Sequence, residues 1–287
     1  MKIAVIILNY FGFQDTCACV NSVRENLDAQ FFLVDNSADS EERERLQAEF
    51  SDGSEVALSF PSENLGFAAG VNLGLKQAIK KGYQYFLLLN NDAVLLPGSG
   101  KIFIETIINN PGSLIAPTII WGGNINKGSY YNKYLGLISD TPYFNGYGSI
   151  YYFTGCALAF DKIFIDTVGF LNEDFFFYGE DVEYSYRAMK KNVSLILIPE
   201  NLVRHEGSKS AKNASLFYEY HILHAHWLLI FNIIENPLKK LFAILGKLCV
   251  LSLRSILRCI KFMTLVPLVS LIKAPWHLRI RPQKHLK

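Results

Sequence analysis

Short apolar runs alternate with helix-like stretches along the first ninety-odd residues of the chain. The runs KIAVIIL, FFLVD, VALSF and YFLLLN are rich in β-branched and aromatic residues. The stretches between them begin near Gln14 and near Glu41, and the third extends over Phe67–Lys80. Strands that alternate with helices in this way predict an α/β fold with a mostly parallel, doubly wound sheet.

Polar side chains follow each of these four runs. They are Asn9-Tyr10, Asp35-Asn36-Ser37, Glu63-Asn64-Leu65-Gly66 and Asn90-Asn91-Asp92. Because such sheets bind ligands beyond the carboxyl ends of their strands, we expect these amide, hydroxyl and carboxylate groups to share one edge. Together they form a constellation of the size of a nucleotide.

The pattern is less regular after Pro97. A helix over 101–108 and a strand near 113–121 precede residues 122–148, which are rich in Gly, Tyr and Asn and show no period. We predict a loop there, either an acceptor-side lid or a disordered insertion. Next come a strand, YYFTGCALAF, a short helix from Asp161, a helix that begins near Gly179, and a strand, VSLILIP, that leads into Arg204-His205-Glu206-Gly207-Ser208.

Residues 237–287 differ in charge from the rest of the chain. They hold 11 of the 28 Lys and Arg and none of the 26 Asp and Glu, which leaves a formal charge of −9 on the other residues. A helix here carries one basic stripe on an apolar background, formed by Lys240, Lys247, Arg254, Arg258 and Lys261. A membrane surface suits this segment better than nucleic acid does. The alternative is a core helix that docks on the body and leaves a solvated basic face.

The composition excludes several classes of protein. With 50% apolar, 14% aromatic and 19% charged residues among 287, the chain is not disordered, collagenous or a small disulfide framework. Its five cysteines have no metal-ligand spacing, so we expect reduced thiols. The first residues lack the pattern of a secretory signal, and we expect a cytoplasmic protein at the inner face of the plasma membrane.

Six motifs occur in a fixed order: ILNYFG, VDNSADS, NLGFAAGVNLGL, LNNDAVL, FFFYGEDVEYSYRA and VRHEGS. In this order they resemble glycosyltransferase family 2, and within it the bacterial rhamnosyltransferase-like members that build cell-surface polysaccharides such as O-antigen. The resemblance covers about residues 1–210 and implies a GT-A fold with a Rossmann-type sheet. It divides the chain into a catalytic domain over 1–215, with a nucleotide-binding half over 1–97 and an acceptor half over 98–215, and an amphipathic helical tail over 216–287.

The resemblance implies a metal site formed by Asp92 and His205. Mg²⁺ or Mn²⁺ held there would lie against the diphosphate of the donor. The DxD-type motif of the family is Asn90-Asn91-Asp92 in this chain, so Asp92 is its only acid. A site with few protein ligands is chemically adequate, because Mg²⁺ commonly binds through one or two carboxylates together with substrate phosphates.

The resemblance also assigns the catalytic base to Asp181, with Glu180 as a nearby acid that contacts the acceptor. At the start of a helix the backbone dipole favours the ionised form of Asp181, which can then accept a proton from the acceptor hydroxyl. A helix cap is the alternative interpretation of Asp181. Glu183 and Arg187, four residues apart, are expected to form a supporting ion pair.

The remaining site residues concern the nucleotide. Asp35 resembles the family's carboxylate that accepts the imide N–H of uracil or thymine, and the other predicted contacts are Asn9, Tyr10, Asn64, Gly66, Gly70, Asn72 and Asn91. Gly66 and Gly70 would let the backbone approach the nucleotide, with Asn72 as a side-chain donor. A cap or turn for Asp35, and close helix packing for the glycines, are the alternatives.

The expected reaction is inverting transfer of a sugar from a UDP or dTDP donor to a glycan or lipid-linked oligosaccharide. By resemblance the preferred donor is dTDP-rhamnose; UDP-galactofuranose, glucose, galactose and N-acetylglucosamine donors stay open. Two other functions remain possible. One is a nucleotidyltransferase, which would normally carry a glycine-rich basic loop after the first strand; NYFGFQD lacks such a loop. The other is a non-catalytic scaffold, whose best support is Asn90, an amide in place of the first carboxylate of the metal motif.

Overall fold

The computed structural model describes residues 2–50, 55–205 and 214–276. The strands are β1 (Ile3–Asn9), β2 (Ala29–Asp35), β3 (Val56–Ser59), β4 (Tyr85–Asn90), β5 (Ala93–Leu95), β6 (Leu114–Trp121), β7 (Asn124–Asn126), β8 (Ser129–Asn132), β9 (Ile138–Ser139), β10 (Ser149–Tyr152), β11 (Ala157–Asp161) and β12 (Leu195–His205). The helices are α1 (Phe13–Arg24), α2 (Ser40–Phe50), α3 (Phe67–Lys80), α4 (Ser99–Asn109), α5 (Lys162–Val168), α6 (Glu180–Lys190), α7 (Leu216–Ile233), α8 (Pro237–Phe262) and α9 (Val266–Lys273).

The large sheet has the strand order β3-β2-β1-β4-β11-β6-β12-β5, with β7 paired to β6. Strands β1 to β4, β6 and β12 run in one direction, whereas β5, β7 and β11 run against them. The prediction of a mostly parallel α/β sheet is therefore confirmed. The strand order reverses at β1, whose neighbours are β2 and β4, and a crevice for a ligand is expected at the carboxyl ends of these strands.

Helices cover both faces of this sheet because its central strands are apolar on both sides. On one face, α1, α2 and α4 bury Val20, Leu46 and Phe103 against the sheet. On the other face, α3, α5 and α6 bury Leu75, Phe164 and Tyr184. The sheet edge that carries the polar strand ends is thereby held between two rigid layers.

The segment 122–148, predicted as a loop, contains regular structure. Strands β8 and β9 pair with each other, and β10 adds to β8 in a separate antiparallel sheet of three strands. The predicted strand YYFTGCALAF is two strands, because β10 belongs to this small sheet and β11 to the large one. Aromatic residues stabilise the small sheet: Tyr131 and Tyr152 are buried against Leu229 and Ile230 of α7.

Helix α8 docks on the body through the side that carries Lys247, Arg254 and Arg258. Lys247 is fully buried and its Nζ donates to the carbonyl oxygen of His226 at 2.9 Å. Arg254 and Arg258 each form an ion pair with the buried carboxylate of Glu219 in α7. The predicted basic stripe exists, but this part of it faces the protein and holds the helix in place.

None of the helices within the described ranges combines the length and the apolar character that crossing a membrane requires. Residues 206–208 of the VRHEGS region and residues 277–287 of the tail, with four of its eleven basic residues, lie outside the described residues.

Candidate active site

The strand ends converge as predicted. Asn9 and Asp35 are paired in register at the ends of β1 and β2, and Asn90 pairs with Leu8 of β1 from the opposite side. A cavity at this edge is lined by Leu8, Tyr10, Asn36, Asn64, Gly66, Phe67, Asn90, Asn91, Asp92, Phe176, Phe177 and Phe217. The arrangement brings amide, phenol and carboxylate groups to one apolar-walled cleft, which is the usual character of a ligand site.

Asp92 lines this cavity, and behind it lies His205, which contacts Asp92 but is not among the lining residues. Nε2 of His205 lies 2.9 Å from Oδ1 of Asp92, and the side chains are 5% and 9% exposed. The backbone fixes this pairing, since β5 pairs with β12 so that Ala93 lies opposite His205. The ring of Trp121 packs edge-on against the imidazole at 5.1 Å between centroids. The two predicted metal ligands are therefore adjacent, largely buried from solvent and fixed in position.

Asn9 holds Asp35 rather than lining the cavity. Its Nδ2 donates to Asp35 Oδ1 at 2.9 Å and to Glu42 at 3.0 Å, while its Oδ1 accepts from Thr16. Asp35 also accepts from the backbone N–H and the hydroxyl of Ser37. Burial raises the pKa of Asp35, and these hydrogen bonds act in the opposite direction. Oδ2 of Asp35 accepts only the Ser37 hydroxyl among these contacts and retains acceptor capacity.

Asn36 is a site residue that was not selected from the sequence. Its Nδ2 donates to Asn64 Oδ1 and to the carbonyl oxygen of Gly66, both at 2.9 Å, and its Oδ1 accepts from the N–H of Leu65. It therefore clamps the turn that bears Asn64 and Gly66, two predicted nucleotide contacts that line the cavity. The signal available in the sequence was its place directly after Asp35 at a strand end.

Tyr10 and Gly66 both line the cavity near Asn64. Tyr10 bonds to the side chain of Asn64, and burial raises its pKa to about 12, so its hydroxyl is a donor at neutral pH. Gly66 has φ of +83°, and a Cβ on it would lie 2.6 Å from the carbonyl oxygen of Phe176. Only glycine permits this close approach of two backbone segments.

Four predicted nucleotide contacts do not line the cavity: Asn9 and Asp35, which bond to each other beside it, and Gly70 and Asn72. Gly70 packs under β1, where a Cβ would lie 2.5 Å from Leu8. Asn72 is fully buried, and its amide bonds to both the N–H and C=O of Leu171 and to Glu173. The structure thus places both residues in helix packing, the alternative weighed for the glycine spacing. Asn91 does line the cavity and donates to Thr16 at 3.1 Å.

Glu180 and Asp181 begin α6, where they follow Gly179 in a left-handed conformation. They do not line the cavity but lie next to it. Gly155 lies between the two: a Cβ on Gly155 would be 3.4 Å from Phe67, which lines the cavity, and 3.8 Å from Glu180. Burial raises the pKa of both carboxyls, and the neighbouring Asp181 raises that of Glu180 further. Oε2 of Glu180 is buried without a hydrogen-bond partner among the described residues. Both the second carboxyl and the unpartnered oxygen favour the protonated form of Glu180 over that of Asp181.

A wall of phenylalanines closes the cavity on the side of α7. The rings of Phe177 and Phe217 are 5.4 Å apart, and Phe176 stacks on His221 at 4.9 Å. Nothing in the sequence pattern distinguishes these residues from core residues. Since Phe217 belongs to α7, the segment that starts the predicted tail contributes to the site.

The residues present fit a divalent cation bound together with a substrate. A carboxylate oxygen and an imidazole nitrogen 2.9 Å apart are a plausible ligand pair, and no cluster of three or more metal-ligating side chains occurs within the described ranges. The protein therefore offers two ligands, and oxygens of a diphosphate and water would complete the shell, as Mg²⁺ prefers.

Comparison with known sequences identifies the family of the chain. The sequence model of glycosyl transferase family 2 matches residues 4–169, more than half of the chain. The low-salt glycan biosynthesis hexosyltransferase Agl10 of Haloferax volcanii is 24% identical over 211 residues, 67% of this chain and 63% of that protein. An uncharacterised protein of Mycobacterium tuberculosis is 24% identical over 220 residues, 76% of this chain and 79% of its own.

Solved structures share the fold. GalNAc-T7, crystallised with UDP, GalNAc and Mn²⁺, matches with a TM-score of 0.63 and 16% identity over 80% of this chain and 48% of its own. TarS of S. aureus in complex with UDP matches with a TM-score of 0.54 and 14% identity, over 84% and 68% of the two chains. The chain spans less than two thirds of the Haloferax protein and about half of GalNAc-T7. At these identities the likeness shows the fold, and the predicted GT-A class is confirmed.

Proposed function

The chain belongs to glycosyl transferase family 2, and on that premise we propose that it transfers a sugar from a nucleoside diphosphate donor to a hydroxyl group of a glycan or lipid-linked acceptor. One observation carries the proposal: Asp92 and His205 meet at the same cleft that Tyr10, Asn64 and Gly66 line. A nucleotide in this cleft would place its diphosphate beside the candidate metal ligands.

Asp92 and His205 would hold Mg²⁺ or Mn²⁺, which supplies positive charge against the departing nucleoside diphosphate when bound. The crystallised relative GalNAc-T7 contains Mn²⁺ and UDP, and TarS contains UDP. Asn91, whose amide is fixed by Thr16, keeps the turn after β4 in place.

Asp181 is the base of the proposed reaction. Its carboxylate accepts the proton of the acceptor hydroxyl as that oxygen attacks the anomeric carbon and the bond to the diphosphate breaks. Oδ1 of Asp181 also accepts from the N–H of Val182 at 2.8 Å, which fixes its orientation. Glu180, held protonated, is a poor nucleophile, so we propose a single displacement that inverts the anomeric centre.

Asp35 selects the base of the donor in this proposal. The free acceptor capacity of its Oδ2 matches the N3–H of uracil or thymine, whereas cytosine has no proton at N3. We propose a UDP or dTDP sugar, with dTDP-rhamnose preferred by family resemblance, and an acceptor in cell-surface polysaccharide synthesis. The partner of α8 and α9 is proposed to be the inner membrane surface, which would bring the cleft close to a lipid-linked acceptor.

A donor-hydrolysis screen tests the proposal. The purified chain would be incubated with UDP, dTDP, CDP and GDP sugars, with Mn²⁺, with Mg²⁺ and with chelator. We expect metal-dependent release of UDP or dTDP that Asp92→Ala and Asp181→Ala both abolish in folded protein. Turnover unaffected by either substitution would contradict the roles proposed for Asp92 and Asp181. Nucleotide binding without turnover on any sugar and acceptor would instead indicate a scaffold that has kept the fold.

A further inference from the structure

The outer surface of α8 is apolar along its whole length. Nine large apolar side chains of this helix are between 40% and 79% exposed. They are Leu238, Leu241, Phe242, Leu245, Leu248, Leu253, Ile256, Leu257 and Ile260. The surface continues past the helix through Met263 and Leu265 to Val269 and Ile272 of α9. We refer to these thirteen side chains as the outer face; an apolar patch of this extent marks an interaction site on a protein surface.

The basic residues of α8 do not surround this face evenly. Lys247 is fully buried, and Arg254 and Arg258 are engaged by Glu219 behind the helix. The exposed cations among the described residues of this segment are Lys239 near the start of α8 and Lys261 near its end, whereas Lys240 and Lys273 are half-buried. Three of the seven basic residues that the structure describes in this segment thus attach the helix to the body, and most of the surface that α8 turns outward is hydrophobic.

We propose that α8 and α9 lie in the plane of a bilayer with the outer face immersed among the acyl chains, so that insertion of apolar side chains, and not attraction to anionic lipid, supplies the membrane affinity. The inference deepens the proposed function, on whose membrane partner it rests. A helix of 26 residues is about 39 Å long at 1.5 Å per residue, a length suited to lying along an interface.

The charge distribution favours a bilayer over a second copy of the chain. Residues 237–276 contain no Asp or Glu, so two outer faces packed together would join two segments that each carry the exposed Lys239 and Lys261 and hold no acid of their own. Lipid phosphates at the rim of an inserted helix neutralise the same lysines. Trp276, 65% exposed directly after α9, is a residue type that concentrates at membrane interfaces.

Flotation of the full chain with lipid vesicles tests this mode of binding. We expect the protein to float with vesicles of pure phosphatidylcholine and to remain bound at high salt, with less than a threefold gain when phosphatidylglycerol is added. The double variant Leu245→Gln and Ile260→Gln should bind at least about tenfold more weakly, because two apolar side chains are lost from the immersed face. The matched control, Ile125→Gln and Ile138→Gln, changes two comparably exposed residues elsewhere and should bind as the wild type does.

Two results would overturn the inference. Binding that requires phosphatidylglycerol and disappears in high salt would show attraction by charge. Failure to float with either vesicle, together with a dimer in sedimentation that the double variant dissociates, would assign the outer face to a second copy. Nucleotide binding measured on the same samples keeps the two proposals apart. Flotation without nucleotide binding contradicts only the transferase proposal. Nucleotide binding without flotation contradicts only the membrane insertion.

Discussion

Nε2 of His205 lies 2.9 Å from Oδ1 of Asp92, although 113 positions separate the two residues in the chain. The pairing of β5 with β12 brings them together, and β5 has only three residues, Ala93–Leu95. A short antiparallel strand thus connects the end of β4, where Asp92 lies, with the last strand of the sheet. The metal site proposed for this chain depends on that ladder.

Substitution of either residue should weaken metal dependence. For Asp92→Asn and His205→Asn we expect the concentration of Mn²⁺ or Mg²⁺ that half-activates donor hydrolysis to rise by at least about 10–100-fold, since even partners of metal ligands have effects of this size. Metal titration of the hydrolysis rate measures it, with circular dichroism to confirm folding. An unchanged half-activating concentration in His205→Asn would exclude this residue as a ligand.

The neighbouring carboxyls Glu180 and Asp181 should respond differently to amide substitution. Asp181→Asn removes the proposed base and should lower kcat by about 10²–10⁴-fold, with donor binding retained. Glu180→Gln replaces a group that is already protonated and should retain most activity. Burial raises the pKa of Asp181, so wild-type activity should increase with pH at values above the ~3.9 of an ordinary aspartate, as the base ionises. Rate profiles against pH for the three proteins measure this, and an equal loss in both variants would contradict the assignment.

Asp35 should control the choice of base. Loss of a hydrogen bond to a charged group costs about 1.5–3 kcal/mol, so Asp35→Ala should bind UDP or dTDP roughly 10- to 100-fold more weakly and lose its preference over CDP. Asn9→Ala removes the amide that orients Asp35 at 2.9 Å and should have a smaller effect in the same direction. Calorimetric titration with the three nucleotides measures both. A preference for UDP that survives in Asp35→Ala would assign base recognition to another residue.

Much of the nucleotide-binding half was readable from the sequence because its signals are local. Helix α3 has the bounds predicted for it, Phe67–Lys80, and the polar residues after β1, β2 and β4 converge as the parallel sheet requires. Gly70 and Asn72 were assigned to the nucleotide from the same pattern, but helix packing uses them. A glycine spacing of four predicts that something packs closely against the helix, but it does not indicate whether this is a nucleotide or another part of the protein.

The parts that were not predicted depend on contacts between distant segments. Residues 122–148 lack a period because β8 and β9 are short and take their stability from α7, which lies far along the chain. The basic stripe of α8 was correctly placed on one helix face, but only the buried Glu219 reveals that this face turns inward. Phe217 resembles any core residue until α7 is placed beside the cleft.

A side chain at Gly66 should destabilise the protein for two reasons, backbone strain and steric overlap. Comparison with Gly82, a matched glycine, separates the two effects. Gly66 and Gly82 both have positive φ, +83° and +86°, but a Cβ at Gly82 would meet nothing within 4 Å, whereas at Gly66 it would lie 2.6 Å from Phe176 O. Gly82→Ala should therefore cost only backbone strain, about 1 kcal/mol. Gly66→Ala should cost more and also weaken donor binding, because Asn36 bonds to the Gly66 carbonyl. Urea unfolding and nucleotide titration measure the two effects, and equal stability losses would contradict the steric argument.

Glu219 should anchor α8 to the body. Its carboxylate is fully buried between Arg254 and Arg258, and removing one partner of a buried ion pair leaves uncompensated charge at a cost of about 3 kcal/mol or more. We expect Glu219→Gln to lower the free energy of unfolding by about that amount in urea. The control is Glu235→Gln, which removes an ion pair with Lys190 whose side chains are 79% and 54% exposed; such pairs contribute about 0–1 kcal/mol. Equal effects in the two variants would mean that the ion pairs of Glu219 do not hold α8, and Arg254 and Arg258 would then have no part in fixing the orientation of the outer face.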